Sequence, residues 1–146
     1  MKTAAQILKS KPEQTVHTMA PAASVYEAVS LMADKNVGAL VVVEAGKVVG
    51  IVSERDYARK IVLLARSSKD TLVSDIMSSP VMYVQPDQTS DECMALMTEN
   101  RLRHLPVLED GQLIGLISIG DLVKATISEQ QFIIEQLEHY ISGQRS

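Results

Sequence analysis

The chain contains one passage twice. Gly50-Ile51-Val52-Ser53-Glu54-Arg55-Asp56 returns as Gly115-Leu116-Ile117-Ser118-Ile119-Gly120-Asp121, and both copies run from an apolar strand into a helix. The offset of 65 (115 − 50 = 65) holds without a gap, aligning residues 16–62 with 81–127. Twelve aligned pairs are identical, among them Pro21/Pro86, Glu27/Glu92, Gly46/Gly111, Ser53/Ser118 and Asp56/Asp121, where average residue usage would give about three. An internal duplication constrains the fold more than any local propensity. Each copy must be one supersecondary unit that cannot bury its apolar face alone.

Within a copy the pattern predicts strand, helix, strand, strand, helix. Residues 16–19 and 81–84 are short strand candidates, each closed by a turn at Pro21 or Pro86. Residues 24–35 place Val25, Ala28, Val29 and Met32 on one helical face, and Ser24 followed by Glu27 reads as a capping box that Thr89 and Glu92 repeat. Residues 39–43 and 47–52 form a β-branched hairpin around Ala45-Gly46, and 105–108 with 112–117 repeat it around Asp110-Gly111. A helix over about 54–65 follows the first hairpin and ends in the polar run Arg66-Ser67-Ser68-Lys69-Asp70. The helix after the second continues from Ile119 to about Ser142. Along it Ile127, Ile134, Leu137 and Ile141 line one side, broadened by Phe132, Ile133 and Tyr140. Such a tail needs a covering surface, from its own chain or another copy.

A leader helix at Thr3-Ala4-Ala5-Gln6-Ile7-Leu8-Lys9, stopped by Pro12, has its counterpart at Thr71-Leu72-Val73-Ser74-Asp75-Ile76-Met77. The expected organisation is residues 1–66 for the leader and first repeat, 67–127 for the linker helix and second repeat, and 128–146 for a helical extension. With 46% hydrophobic but only 3% aromatic residues and no Trp, the core must be aliphatic. A net charge of −4 excludes a general attraction for nucleic acid or anionic membrane, so any anion must meet a local cluster of cations. The one cysteine, Cys93, allows no internal disulfide, and no Cys/His spacing suits a metal. No signal-peptide core or membrane-length apolar run stands out. A cytoplasmic protein is expected.

Ser53/Asp56 and Ser118/Asp121 are the residues that could carry chemistry. A serine N-cap with an acid at N3 is ordinary helix punctuation, contributing about 1 kcal/mol. An Asp in the first turn can also accept two hydrogen bonds from a diol such as ribose, while free N–H groups beside it favour phosphate. Arg55 opposes the helix macrodipole and so calls for an anion, either a neighbouring acid such as Glu54 or a ligand. No nucleophile with a base, no metal set and no phosphate-cradling loop is present, so the reading is a binding protein and not an enzyme.

These two copies, with Asn36-Val37-Gly38-Ala39-Leu40 before the first and Asp75-Ile76-Met77-Ser78-Ser79-Pro80-Val81 between them, resemble the CBS domain, the small motif named after cystathionine β-synthase. The resemblance covers about residues 3–127 and implies a complete pair. The implied fold is α/β (α+β): two pseudo-twofold-related βαββα repeats with small mixed sheets packed into one module. It further implies two clefts for adenosine-containing ligands such as AMP, ADP, ATP, NAD or S-adenosylmethionine, with no obligatory cofactor. A regulatory role and a homodimer are implied too, with an unnamed downstream protein. Carried over by position, one cleft would use Asp56 on the ribose, Ser53 and Arg55 toward phosphate, Ile51, Val81 and Met82 at the base, and Leu102, Arg103 and His104 on the phosphate side. The other would use Leu116, Ser118 and Asp121 with Val16, His17, Val37, Gly38 and Ala39. Since Gly120 replaces Arg55 and Gly38-Ala39 replaces Arg103-His104, the first cleft is expected to be the more cationic. The alternative implied by the tail is a ligand-free structural or partner-docking dimer.

Overall fold

The computed structural model describes residues 1–145; Ser146, the last residue of the expected extension, lies outside them. The elements run α1 (Ala4–Ser10), β1 (Thr18–Met19), α2 (Val25–Lys35), β2 (Ala39–Glu44), β3 (Lys47–Ser53), α3 (Glu54–Tyr57), a π-helical turn (Ala58–Val62), α4 (Val73–Ile76), α5 (Ser90–Asn100), β4 (His104–Glu109), β5 (Gln112–Ser118) and α6 (Ile119–Arg145). The mixed α/β class follows from these elements. Helix starts are capped where the sequence places small hydroxyls: Ser24 accepts from the Glu27 N–H at 3.1 Å, and Thr89 and Glu92 cap one another. Both α2 and α5 stop at a left-handed residue, Asn36 and Arg101, each with φ 55°. The hairpins turn on Ala45 and Gly46 (φ 51° and 77°) and on Asp110 and Gly111 (φ 50° and 80°), the double positive φ of a type I′ turn.

β1 pairs parallel with β2, which pairs antiparallel with β3. The equivalent of β1 in the second repeat is shorter than the expected 81–84: only Val84 bridges, to Val107. The reason is local. The Val84 N–H donates to the Pro106 carbonyl at 3.0 Å, and a strand residue presents its N–H on the same side as its C=O. Pro106, standing where the first repeat has Val41, has no N–H to extend that ladder. The helix expected over 54–65 also departs from regularity, widening after Tyr57 into a π turn closed by the Leu63 N–H on the Ala58 carbonyl at 3.1 Å.

The chain forms two compact units that interleave in sequence. One comprises Met1–Gln14, Val84–Val107 and the chain from Leu116 onward; the other comprises Thr15–Tyr83 and Leu108–Gly115. The leader precedes the first repeat in sequence, and its backbone bonds run to the second: Ala4 N–H to Gln88 at 2.8 Å, Ala5 N–H to Pro86 at 3.0 Å, and Ser90 N–H back to Lys2 at 2.8 Å. In the other unit the second lead-in does the same for the first repeat, with Val73 N–H on Ala23, Ser74 N–H on Pro21 and Val25 N–H on Thr71. Each unit has its own aliphatic core. Ala4, Ile7, Cys93, Met97, Leu105, Val107, Ile117 and Leu122 fill the first; Val73, Ile76, Ala28, Met32, Leu40, Val42 and Val52 fill the second. The inward positions of α2, β2 and β3 recur at the offset of 65 in α5, β4 and β5.

Candidate functional site

In the second unit, β3 ends at Ser53 and α3 begins. The Ser53 N–H and hydroxyl donate to Asp56 Oδ2 at 2.9 and 3.1 Å, and the Asp56 N–H returns a bond to Ser53 Oγ at 3.2 Å. Ala39 lies opposite Ser53 in the β2–β3 register, and the Glu54 N–H donates to the Gly38 carbonyl at 3.0 Å. The Lys60 ammonium stands 3.5 Å from Asp56 Oδ1, one turn along the chain, and donates to the Ile76 carbonyl at 2.8 Å. Ile51 exchanges both backbone bonds with Ser78 at 3.1 and 2.9 Å. Arg55 is half-buried in the first turn, and among the described residues no carboxylate lies within ion-pair distance of it.

The first unit rebuilds this junction with different parts. The Ser118 N–H donates to Asp121 Oδ2 at 2.8 Å, the Asp121 N–H to Ser118 Oγ at 3.2 Å, and the Ile119 N–H to the Arg103 carbonyl at 2.9 Å. Here the cation comes from the leader: Lys11 Nζ lies 2.9 Å from Asp121 Oδ2 and donates to the Leu116 carbonyl at 2.8 Å. Leu116 is the counterpart of Ile51, so the Lys11 ammonium occupies the role that the Ser78 N–H plays in the other unit. Cap and ammonium both engage Oδ2 of Asp121.

Electrostatics follow this wiring. Partial burial alone would push the Asp121 carboxyl up, but the Ser118 N–H and the Lys11 ammonium hold it below the ordinary 3.8. His104, the first residue of β4, is held below 6.5, first by burial and then by Lys11 and Arg103, with Asp121 opposing. Cys93 is fully buried, and burial, reinforced by Glu92, raises its thiol above the ordinary value.

The structure therefore brings Gly38 and Ala39 to the junction of Asp56, and Arg103 and His104 to that of Asp121. The family resemblance assigns each pair, as a facing wall, to the other acid's cleft. Val81 is half-buried and Met82 exposed in the second unit, where Val16 and His17 precede β1 half-buried and Val37 packs against the core. Leu102 packs against the first core. Lys60 was missed although an i,i+4 acid–lysine pair is a readable signal. Lys11 had no signal, since its partner lies in the other repeat.

A sequence profile of the CBS domain matches residues 5–63 and again 73–128. The chain belongs to the CBS-domain family. Its two repeats are similar to the mitochondrial CBS domain-containing protein CBSX3 of Arabidopsis thaliana, 46% identical over 125 residues that cover 82% of this chain. The chain spans 61% of the length of that relative. Among solved structures, a protein with CBS domains from Burkholderia ambifaria MC40-6 is 60% identical, with a TM-score of 0.85 over 88% of this chain and 96% of that one. CBSX2, crystallised in complex with AMP, is 27% identical, with a TM-score of 0.73 over 89% of this chain and 99% of its own. As a CBS pair, the chain shares its fold with an AMP-binding protein. Among the described residues no helix is long and apolar enough to cross a membrane.

Proposed function

We propose that this CBS pair is a regulatory adenine-nucleotide-binding module that performs no covalent chemistry. The observation that carries the reading is the AMP-bound relative, whose fold this chain shares over nearly its whole length. The local geometry supports it. Asp56 and Asp121 each stand at a helix start with the cap engaging Oδ2, a placement suited to a ribose hydroxyl on the carboxylate. Among the described residues no carboxylate lies within ion-pair distance of Arg55, which leaves it suited to a phosphate. Ile51, Ser53, Val81 and Met82 accompany Asp56; Leu116, Ser118, Arg103 and His104 accompany Asp121. Regulation requires that the ligand bind two arrangements of the protein with different affinity. The test is thermal denaturation with AMP, ADP, ATP, NAD, S-adenosylmethionine and adenosine, followed by calorimetry. A ligand held by the folded state raises the midpoint, and Asp56→Ala with Asp121→Ala must abolish the rise. Unmoved midpoints with every compound would end the proposal.

A second reading, a homodimer built through α6, rests on a separate observation. Ile127, Ile134, Leu137 and Ile141 are 49–57% exposed along one side of that helix. An apolar line of this length on a soluble chain marks a protein contact. The two readings are compatible, since a sensor can act by changing how two copies associate.

A further inference from the structure

On a chain of net charge −4, residues 57–69 carry Arg59, Lys60, Arg66 and Lys69 and no acid. Within this run, in the second unit, Val62, Leu63 and Leu64 are 56%, 76% and 63% exposed, and no large apolar side chain among the described residues is more exposed than Leu63. The backbone makes them a tip. Ile61 is buried and anchors the π-helical turn in the core. Beyond it Ala65 takes a left-handed φ of 53°, and the Arg66 N–H returns to the Ile61 carbonyl at 2.9 Å, so the chain reverses with the three aliphatic residues at its apex. The fold does not require apolar residues there. At the offset of 65, Leu63 and Leu64 correspond to Ser128 and Glu129.

We propose that this tip docks on the surface of an anionic lipid bilayer, its aliphatic side chains among the acyl chains and its cations among the headgroups. Successive residues of a helical turn point roughly 100° apart, so three in a row share no flat face that one protein surface could cover. A fluid apolar phase surrounds all three. The cations stand where headgroups would lie. Arg59 is exposed and in no ion pair among the described residues, and Arg66 has only an exposed Asp75 at 4.0 Å. Lys69 lies 5.0 Å over the ring of Tyr26, whose N–H donates to the Ser68 carbonyl at 2.9 Å; a half-exposed tyrosine beside a cation suits the headgroup level. Lys60, held by Asp56 and the Ile76 carbonyl, is not counted. A short apolar insertion together with a basic patch is the pair of signals that membrane attachment needs. A second copy presenting the same tip would bring Arg59 and Arg66 against their like, which disfavours that occupant. The tip includes none of the residues assigned to a nucleotide, so this proposal and the proposed function stand or fall separately.

The test is co-sedimentation of the full chain with phosphatidylcholine vesicles, made with and without phosphatidylserine, at low and high salt. Wild type should partition onto the phosphatidylserine vesicles and leave them at high salt. Arg59→Gln should weaken partitioning about fivefold, the loss of one cation near the surface. Leu63→Ser with Leu64→Glu, which installs the residues the second repeat carries, should abolish it while leaving the thermal midpoint and the mass by light scattering unchanged. Lys35→Gln, at an exposed lysine of the same unit outside the run, should bind as wild type does. No partitioning of wild type, equal partitioning onto phosphatidylcholine alone, or undiminished binding by the double variant overturns the proposal. A lower mass for the double variant also overturns it and gives the tip to a second copy. If the double variant melts early, Arg59→Gln against Lys35→Gln decides: equal partitioning of the two sinks the bilayer reading.

Discussion

Lys11 Nζ lies 2.9 Å from Asp121 Oδ2, and both side chains are largely shielded, 26% and 15% exposed. The pair ties the leader to the first turn of α6. Lys11→Met should therefore cost on the order of 1 kcal/mol at neutral pH, above the range of a fully exposed pair and below that of a buried one. The pH dependence has a definite sign. A carboxyl held below its ordinary 3.8 contributes stability above that pH and loses it as pH falls through the folded-state value. Urea denaturation of wild type and variant should differ near neutrality and converge in strong acid. A gap of the same size at both ends would show that Lys11 acts through packing alone.

His104 supplies a second pH signature. Its imidazole is held below 6.5 by burial, Lys11 and Arg103, against the pull of Asp121, so the folded chain binds fewer protons than the unfolded chain just below 6.5. Stability must fall as pH is lowered through that window. His104→Asn should flatten the slope of melting temperature against pH below 6.5. A slope identical to wild type would mean that another group titrates there.

How much of this was readable in the sequence depends on the range of each interaction. The caps at Ser53, Thr89 and Ser118, the hairpin turns and the inward positions of α2 and α5 were legible because their partners lie within a few residues. The family was legible because the Ser-to-Asp spacing occurs twice. The docking of α1 on residues 86–90 was not, since nothing local distinguishes which repeat a leader will cover. Lys11 followed from that docking and was lost with it. Arg103 and His104 are carried to the Asp56 cleft by the family resemblance alone, and the one local signal at that point is the hydrogen bond from the Ile119 N–H to the Arg103 carbonyl. The π turn after Tyr57 has no sequence signature.

The turn at Ala45 offers a stability gain. Alanine is held at φ 51°, where its Cβ crowds the following carbonyl, while the equivalent position in the second hairpin is Asp110 at φ 50°. Ala45→Asn should stabilise the chain by about 0.5–1 kcal/mol, and Asp110→Ala should lose a similar amount. Thermal or urea melts decide it. A destabilised Ala45→Asn would mean the side chain meets a steric obstacle that the backbone angles do not reveal.

Cys93 is 0% exposed in the first core, and its thiol is raised by burial. Its modification must wait for the unit to open. Reaction with a thiol-specific reagent at neutral pH should be slow, with a rate that rises with added urea in parallel with unfolding. Rapid stoichiometric labelling of the native chain would contradict the packing of α5.

The α6 tail makes the most direct prediction about assembly. Ile127, Ile134 and Ile141 recur at intervals of seven, Leu137 falls between the last two, Val123 lies one turn before the first, and all five are 46–57% exposed. This is the spacing of a two-helix seam. In an antiparallel pairing about the middle of that seam, Ile127 of one copy meets Leu137 of the other, and Lys124 comes beside Glu138, so the charges suit a twofold arrangement. Wild-type protein should then have twice the chain mass by light scattering. Ile134→Glu, which places a carboxylate in the centre of the apolar line, should yield the single chain, whereas Gln136→Glu on the outer side of the helix should not. Lys124→Glu alone should weaken the dimer severalfold, and Lys124→Glu with Glu138→Lys should recover it. A wild-type mass equal to one chain at all concentrations, or a dimer indifferent to Ile134→Glu, would exclude the seam.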